Sequence, residues 1–177
     1  MKITISGTAG SGKSTLAKML AEKLNYKYYS MGYIQRQVAK KKNVSIEELA
    51  ELEKTDPSID IMIDETQKKL NKKNNFVLDS WLGFYFLPDA FKIFITADIK
   101  TRAKRILNRE PENYKNLKDA IKKIKQREKA NRERWLKLYK IDFLKEKNYD
   151  LFLDTTNINQ EEALNIVYKK IKKFIKK

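Results

Sequence analysis

The sequence predicts a single α/β domain in three layers, α/β/α, built on a five-stranded parallel sheet. Three observations carry that prediction. Short apolar runs alternate with longer stretches whose apolar residues recur every three or four positions. One of those runs passes directly into a glycine-rich loop and then into a helical stretch. The length of 177 residues and a hydrophobic content of 41% suit one core, whereas two domains would each be unusually small.

The elements follow in order along the chain. Ile3-Thr4-Ile5, Phe76-Val77-Leu78 and Phe91 to Ile95 read as strands buried on both faces, because they are apolar without alternation. Tyr28-Tyr29 and Leu151-Phe152-Leu153 are the two weaker strand signals. Leu16, Met19, Leu20 and Leu24 mark the first helix, Ile121, Ile124, Trp135, Leu138 and Ile141 a later one, and Ala163 to Phe174 the last. The stretch from Met31 to Lys73 is helical throughout, with an Asp56-Pro57 start signal. It reads as an insert on the sheet, not as a separate domain.

The loop is the most specific feature. Gly7, Thr8, Ala9, Gly10, Ser11, Gly12, Lys13, Ser14 and Thr15 contain the pattern GxxxxGK[ST], between an apolar strand and an amphipathic helix. Glycines let backbone amides turn inward, and the helix start adds a partial positive charge. Lys13 then reaches the β- and γ-phosphates of a nucleotide, and the Ser14 hydroxyl can coordinate Mg²⁺. The fold expected is therefore that of a P-loop NTPase, with ATP as the bound nucleotide. Such a loop needs an acid near its magnesium, and Asp79, closing Phe76-Val77-Leu78-Asp79, supplies it. Asp154 ends its own apolar run in the same way and is read as a turn residue.

Composition removes most other chemistry. There is no cysteine and no histidine, which excludes disulfides, thiolate catalysis, histidine bases and most transition-metal sites. The apolar opening is broken by the glycine loop, so neither a signal peptide nor a membrane span is expected, and the reading is a cytoplasmic monomer. The net charge of +16 has two readings, a polyanionic partner or a lysine-rich composition with no target. The arginines are more informative. Only seven occur, and six of them lie between Arg102 and Arg134, where planar forks would suit phosphate oxygens. From Lys100 to Lys147 there are 18 basic and 7 acidic residues, which fits a cationic flap over ATP and also a nucleic-acid surface. A GTPase would need an NKxD-type segment, and none is present.

Over nearly its whole length the chain resembles the nucleoside monophosphate kinases, and most closely cytidylate kinases of the archaeal type. The likeness runs through ITISGTAGSGKSTLAKMLAEKL, YYSMGYIQRQVAKKKNVSIEELAELEKTDPSIDIMIDETQ, FVLDSWLGFYFLPDAFKIFITADIKTRAKRILNRE, KIKQREKANRERWLKLYKIDF and YDLFLDTTNINQEEALNIV. It implies a core of residues 1–30, 74–108 and 135–177, a helical insert at 31–73 that binds the acceptor nucleotide, and a short lid at about 109–134. It implies acceptor contacts from Ser30, Gly32 and Arg36. Read from the residues, Arg36 is also singular as the one arginine in a lysine-rich segment. The resemblance places Arg105 and Arg109 where the lid opens and Arg127 and Arg134 on the helix that returns from it. Arg105 would then be an ATP contact, and the other three would serve catalysis with Lys13. Arg102 and Arg132 read as members of a solvated helix face.

Two places depart from the family pattern. Trp81 stands where an arginine is usual, and it either stacks on a base or fills a hydrophobic gap. Glu65 and Thr66 stand where paired arginines are common. Asp60, Asp64 and Gln67 are candidates for base or sugar contacts or for helix-surface roles. The expected reaction moves the γ-phosphate of ATP to CMP or dCMP, giving ADP and CDP or dCDP. The alternatives are a kinase for another small acceptor and an ATP-binding factor acting on RNA or ribosomes.

Overall fold

The computed structural model describes residues 1–53, 55–109 and 113–175. Five strands, β1 (Lys2–Gly7), β2 (Lys27–Ser30), β3 (Phe76–Asp79), β4 (Phe91–Thr96) and β5 (Leu151–Asp154), form one sheet in the order β2-β3-β1-β4-β5. Every pairing is parallel. All five expected apolar runs are strands, each lengthened by polar residues at one or both ends. Register matters for the site: Ile5 pairs with Asp79, Ser30 pairs with Asp79, and Gly7 pairs with Ile95. The carboxyl ends of the central strands therefore come level, where ligands of open parallel sheets bind.

Helices α1 (Lys13–Leu24) and α8 (Gln160–Ile175) cover one face. Leu16 and Leu20 of α1 and Leu164, Val167 and Ile171 of α8 pack on Ile3, Ile5 and Ile93, all buried. Each such side chain contributes about 1.5–3 kcal/mol on burial. The insert holds α2 (Met31–Lys41), α3 (Ile46–Leu52) and α4 (Pro57–Lys69). These pack around Phe76 and Leu78 on the other face. The expected helix start is present, with the Asp56 carboxylate accepting from the Ser58 amide at 2.9 Å.

After β3 comes the short α5 (Gly83–Phe86), and β4 leads into α6 (Ile99–Arg109). Residues 110–112 of the expected lid lie outside the described residues. Helix α7 (Leu117–Tyr139) starts at Asn116, whose side chain accepts from the Asp119 amide, and ends at Lys140 with φ 59°. It runs without a break through residue 134. One helix thus spans both the expected lid segment and the start of the expected core segment, where Trp135 joins Phe94, Phe143 and Trp81 in an aromatic cluster.

Candidate active site

The loop from Gly7 to Thr15 lies between β1 and α1, across the carboxyl edge of the sheet. Its glycines answer specific crowding. A Cβ at Gly7 would come 2.2 Å from the Ile95 carbonyl oxygen, and one at Gly10, where φ is +79°, would come 2.6 Å from that of Arg102. The loop is pinned at both flanks. The Thr8 amide donates to Ile95 O at 3.2 Å and the Ser11 amide to Thr8 O at 3.2 Å. Helix α1 carries no acidic residue in its first turn, so nothing there competes with an anion at its positive end.

Lys13, Ser14 and Asp79 converge as expected. The Ser14 hydroxyl donates to Asp79 Oδ2 at 2.6 Å, and Lys13 Nζ lies 3.7 Å from Asp79 Oδ1. Burial holds the Lys13 ammonium below its ordinary range; Asp79 opposes this, and Arg127 and Arg109 add to it. Both arginines are thus electrostatically coupled to the phosphate-loop lysine. Tyr28 and Ser30 were not read from the sequence as partners of Asp79, yet their hydroxyls approach Oδ2 at 3.3 and 3.4 Å. Strand β2 brings them there by pairing with β3, a contact with no local sequence signature.

Ser30, Gly32 and Arg36 do come together. Ser30 caps α2 by accepting from the Tyr33 amide, and a Cβ at Gly32 would lie 3.5 Å from Arg36 Nη1 and 3.8 Å from Ser30 Oγ. Arg105 is held more firmly than its assignment foresaw. Its guanidinium donates to Ser11 O, Thr155 Oγ1 and Thr155 O at 3.3, 3.0 and 2.7 Å, tying the phosphate loop to the turn after β5. Asp154 does form that turn, accepting from the Thr156 amide at 2.7 Å.

Two clefts flank the loop. One, of about 810 Å³, is lined by Gly10, Gly12, Arg105, Arg109, Thr155 and Asn159. The other, of about 550 Å³, lies between the insert and α7 and is lined by Ala9, Gln35, Trp81, Arg127, Asn131 and Arg134. Trp81 forms part of its wall, with ring centroids 5.6 Å from Trp135 and 5.2 Å from Phe143, and Lys13 Nζ 5.4 Å from the ring. Packing is therefore one of its roles, and its place in the cleft wall is compatible with stacking on a base as well.

Behind this cleft is a buried polar group that spacing alone did not single out. Asp60, Asp64 and Gln67 recur on one face of α4 and are buried, so they are not helix-surface residues. Asp64 accepts from the Tyr139 hydroxyl, and Gln67 accepts from Ser80 Oγ at 2.6 Å. Arg134 is paired with Glu53 and lies 3.6 Å from Asp60. Burial pushes the Asp60 carboxyl up to about 6, with Glu53 and Asp64 adding to the effect and Arg134 opposing it. Glu65 and Thr66 face elsewhere: Glu65 bonds Lys68, and Thr66 donates to Met62 O. The departures at those two positions do not alter the cleft wall.

Two arginines read as solvated are engaged. Arg102 is buried and donates to Ala9 O at 3.2 Å and to Glu128. Arg132 binds Asp142 at 2.5 Å while staying half exposed. Glu128 also accepts from the Ala9 amide at 3.0 Å, so that amide points to a side chain of α7. Among the described residues no group of three or more His, Cys, Asp or Glu could hold a metal, and no helix is long and apolar enough to cross a membrane.

A parallel sheet, a phosphate loop at its carboxyl edge and a cleft on each side of that loop define a P-loop phosphotransferase. The chain belongs to the cytidylate kinase-like family, whose model matches residues 2–157, and is an ATP-dependent nucleoside monophosphate kinase. It is 38% identical over 173 residues to the cytidylate kinase of Archaeoglobus fulgidus, covering 97% of this chain and 94% of that protein. It is 37% identical over 168 residues to an S-adenosylmethionine-dependent nucleotide dehydratase of Lacinutrix mariniflava, covering 94% of this chain but only 35% of that much longer protein. Among solved structures it is similar to shikimate kinase from Bacteroides thetaiotaomicron, with a TM-score of 0.65 at 15% identity, covering 97% of this chain and 98% of that one. That last likeness concerns the fold alone.

Proposed function

We propose that the chain transfers the γ-phosphate of ATP to CMP or dCMP, releasing ADP and CDP or dCDP. The observation that carries this reading is the pair of clefts that share one phosphate loop, Gly10 and Gly12 lining one and Ala9 the other, with the Lys13–Asp79 pair at the same loop. That arrangement suits a donor and an acceptor meeting across the loop. The choice of acceptor rests on relatives named cytidylate kinase that align over nearly the full chain.

In this reading the amides from Gly10 to Thr15 cradle the donor phosphates, and Arg105 walls the donor cleft. Ser14 and Asp79 would hold Mg²⁺; a hydroxyl and a carboxylate brought side by side are hard oxygen ligands that suit an ion keeping waters and taking phosphates as further ligands. When bound it neutralises charge on the phosphates. Lys13, Arg109 and Arg127 serve the transferring phosphoryl group. Ser30, Gly32 and Arg36 receive the acceptor phosphate at the Asp79 edge, and Trp81 walls the cleft in which its base lies. Arg134, already paired with Glu53 and Asp60, acts from the acceptor side. Residues 31–73 serve as the acceptor-binding insert and about 109–134 as the lid region, on a core of 1–30, 74–108 and 135–177.

No proton-abstracting base is needed, because the attacking acceptor phosphate is already ionised. Positioning and charge neutralisation then supply the rate, which a chain without histidine can do. A coupled assay of ADP release against CMP, dCMP, UMP and AMP tests the proposal. ADP should form with CMP or dCMP and stay near background with no acceptor. Release that is indifferent to every acceptor would sink it.

A further inference from the structure

The contact between α7 and the phosphate loop is built from groups that the transfer reaction itself does not use. Arg102 and Glu128 form an ion pair with side chains only 9% and 18% exposed. Both groups also grip the same residue of the loop: Arg102 donates to Ala9 O at 3.2 Å, and the Ala9 amide donates to Glu128 Oε1 at 3.0 Å. Around them Ala9, Ala103, Ile106, Ala120 and Ile124 close an apolar cluster that packs α6 against α7. The loop apex is pressed on α6 at Gly10, where any Cβ would collide with the Arg102 carbonyl. Ile124 and Glu128 are one helical turn apart and share the face of α7 turned to α6. Arg127, Asn131 and Arg134, at the same helical periodicity, line the acceptor-side cleft together with Ile124 itself.

We infer that Glu128 is a positioning residue. Clamped to the Ala9 amide and to Arg102, it sets the rotation of α7 about its axis and so aims Arg127 at the phosphoryl group held over Lys13. The coupling is short: Arg127 is the adjacent residue and acts electrostatically on Lys13. The clamp also takes the Ala9 amide out of the phosphate cradle, although that residue belongs to the loop motif, and leaves Gly10 to Thr15 to face the anion. A carboxylate this close to a phosphate site would repel an anion if it were free. Its charge is instead compensated by Arg102 in a buried pair, which suits a permanent strut and not a plug that ATP displaces. This inference rests on the phosphoryl-transfer reading for its kinetic consequence, but not for the clamp.

Removing one partner alone would strand a buried charge, so the test replaces both. In R102M/E128Q the glutamine amide can accept from the Ala9 amide and donate to Ala9 O, keeping the grip without charge. In R102M/E128M the grip is lost while the volume is kept. The double variant with glutamine should retain kcat within about threefold of the parent, whereas the methionine pair should lose about tenfold or more. Both should bind a non-hydrolysable ATP analogue within about threefold of the parent. A smaller loss of kcat in R102M/E128M, or one matched by an equal loss of analogue affinity, overturns the inference. A second measurement needs no variant: hydrogen exchange of the Ala9 amide in the parent should be slowed about 100-fold or more with and without the analogue. An Ala9 amide that exchanges freely, or that is released when the analogue binds, also overturns it. Should R102M/E128M fail to fold, the exchange result decides. A parent that makes no CDP would defeat the functional reading and leave the exchange result standing on its own.

Discussion

Asp60 provides a test of the electrostatics behind the acceptor cleft. Its carboxyl is buried, one oxygen has no hydrogen-bond partner among the described residues, and burial with Glu53 and Asp64 nearby pushes it up to about 6 from 3.8. Since the folded form holds the proton more tightly than the unfolded chain, stability is greatest below about pH 4. It declines as pH rises and the loss is complete above about 6. The ceiling on that loss is about 3 kcal/mol, and solvent screening with relaxation around Arg134 reduces it to about 1 kcal/mol. Asp60→Asn removes the charge and keeps the shape, while Arg134 retains its pairing with Glu53. Urea unfolding at pH 7.5 should show a gain of about 1 kcal/mol, with Tm higher by about 2–4 °C. At pH 4.5 the gain should be smaller, because part of the penalty has not yet developed. A variant less stable than the parent at pH 7.5, or a gain that does not change with pH, would refute the reasoning. The pairing with Arg134 would then outweigh the burial cost of the Asp60 charge.

Two further outcomes follow from the loop. Asp79→Asn keeps the size of the group that accepts from Ser14, but halves its acceptor capacity; kcat should fall about 100-fold and the midpoint of a Mg²⁺ titration should rise about tenfold, read by coupled assay and by titration. Gly10→Ala places a methyl group against the Arg102 carbonyl at a positive φ, costing about 1–3 kcal/mol. Thermal unfolding should record that loss, and an ATP analogue should bind more weakly because α6 has been pushed from the loop.

The centre of the sheet was legible because β1, β3 and β4 are apolar runs buried on both faces, whereas the edge strands β2 and β5 are only partly buried and signal more weakly. The phosphate loop was legible because its glycines, lysine and serine are contiguous. Apart from Asp79 beside the loop, what escaped was made across the fold. Tyr28 reaches Asp79 only because β2 pairs with β3, and Glu53 meets Arg134 only because the insert folds back on α7. Arg102 looked like one more cation on a basic helix. Its burial depends on Glu128, 26 residues away, and on the Ala9 carbonyl, 93 residues away. A signal for Asp60, Asp64 and Gln67 was present in their spacing along one face of α4, but polar residues at helical period read equally well as a solvated stripe. The departure at Glu65 and Thr66 drew weight that the structure removes, since both turn from the cleft.

Following the γ-phosphate itself tests the central claim most directly. With ATP labelled at that position and equimolar CMP, the label should appear in CDP, in step with ADP, and should stay in ATP when CMP is left out. Label recovered as inorganic phosphate at the same rate with and without CMP would contradict the account.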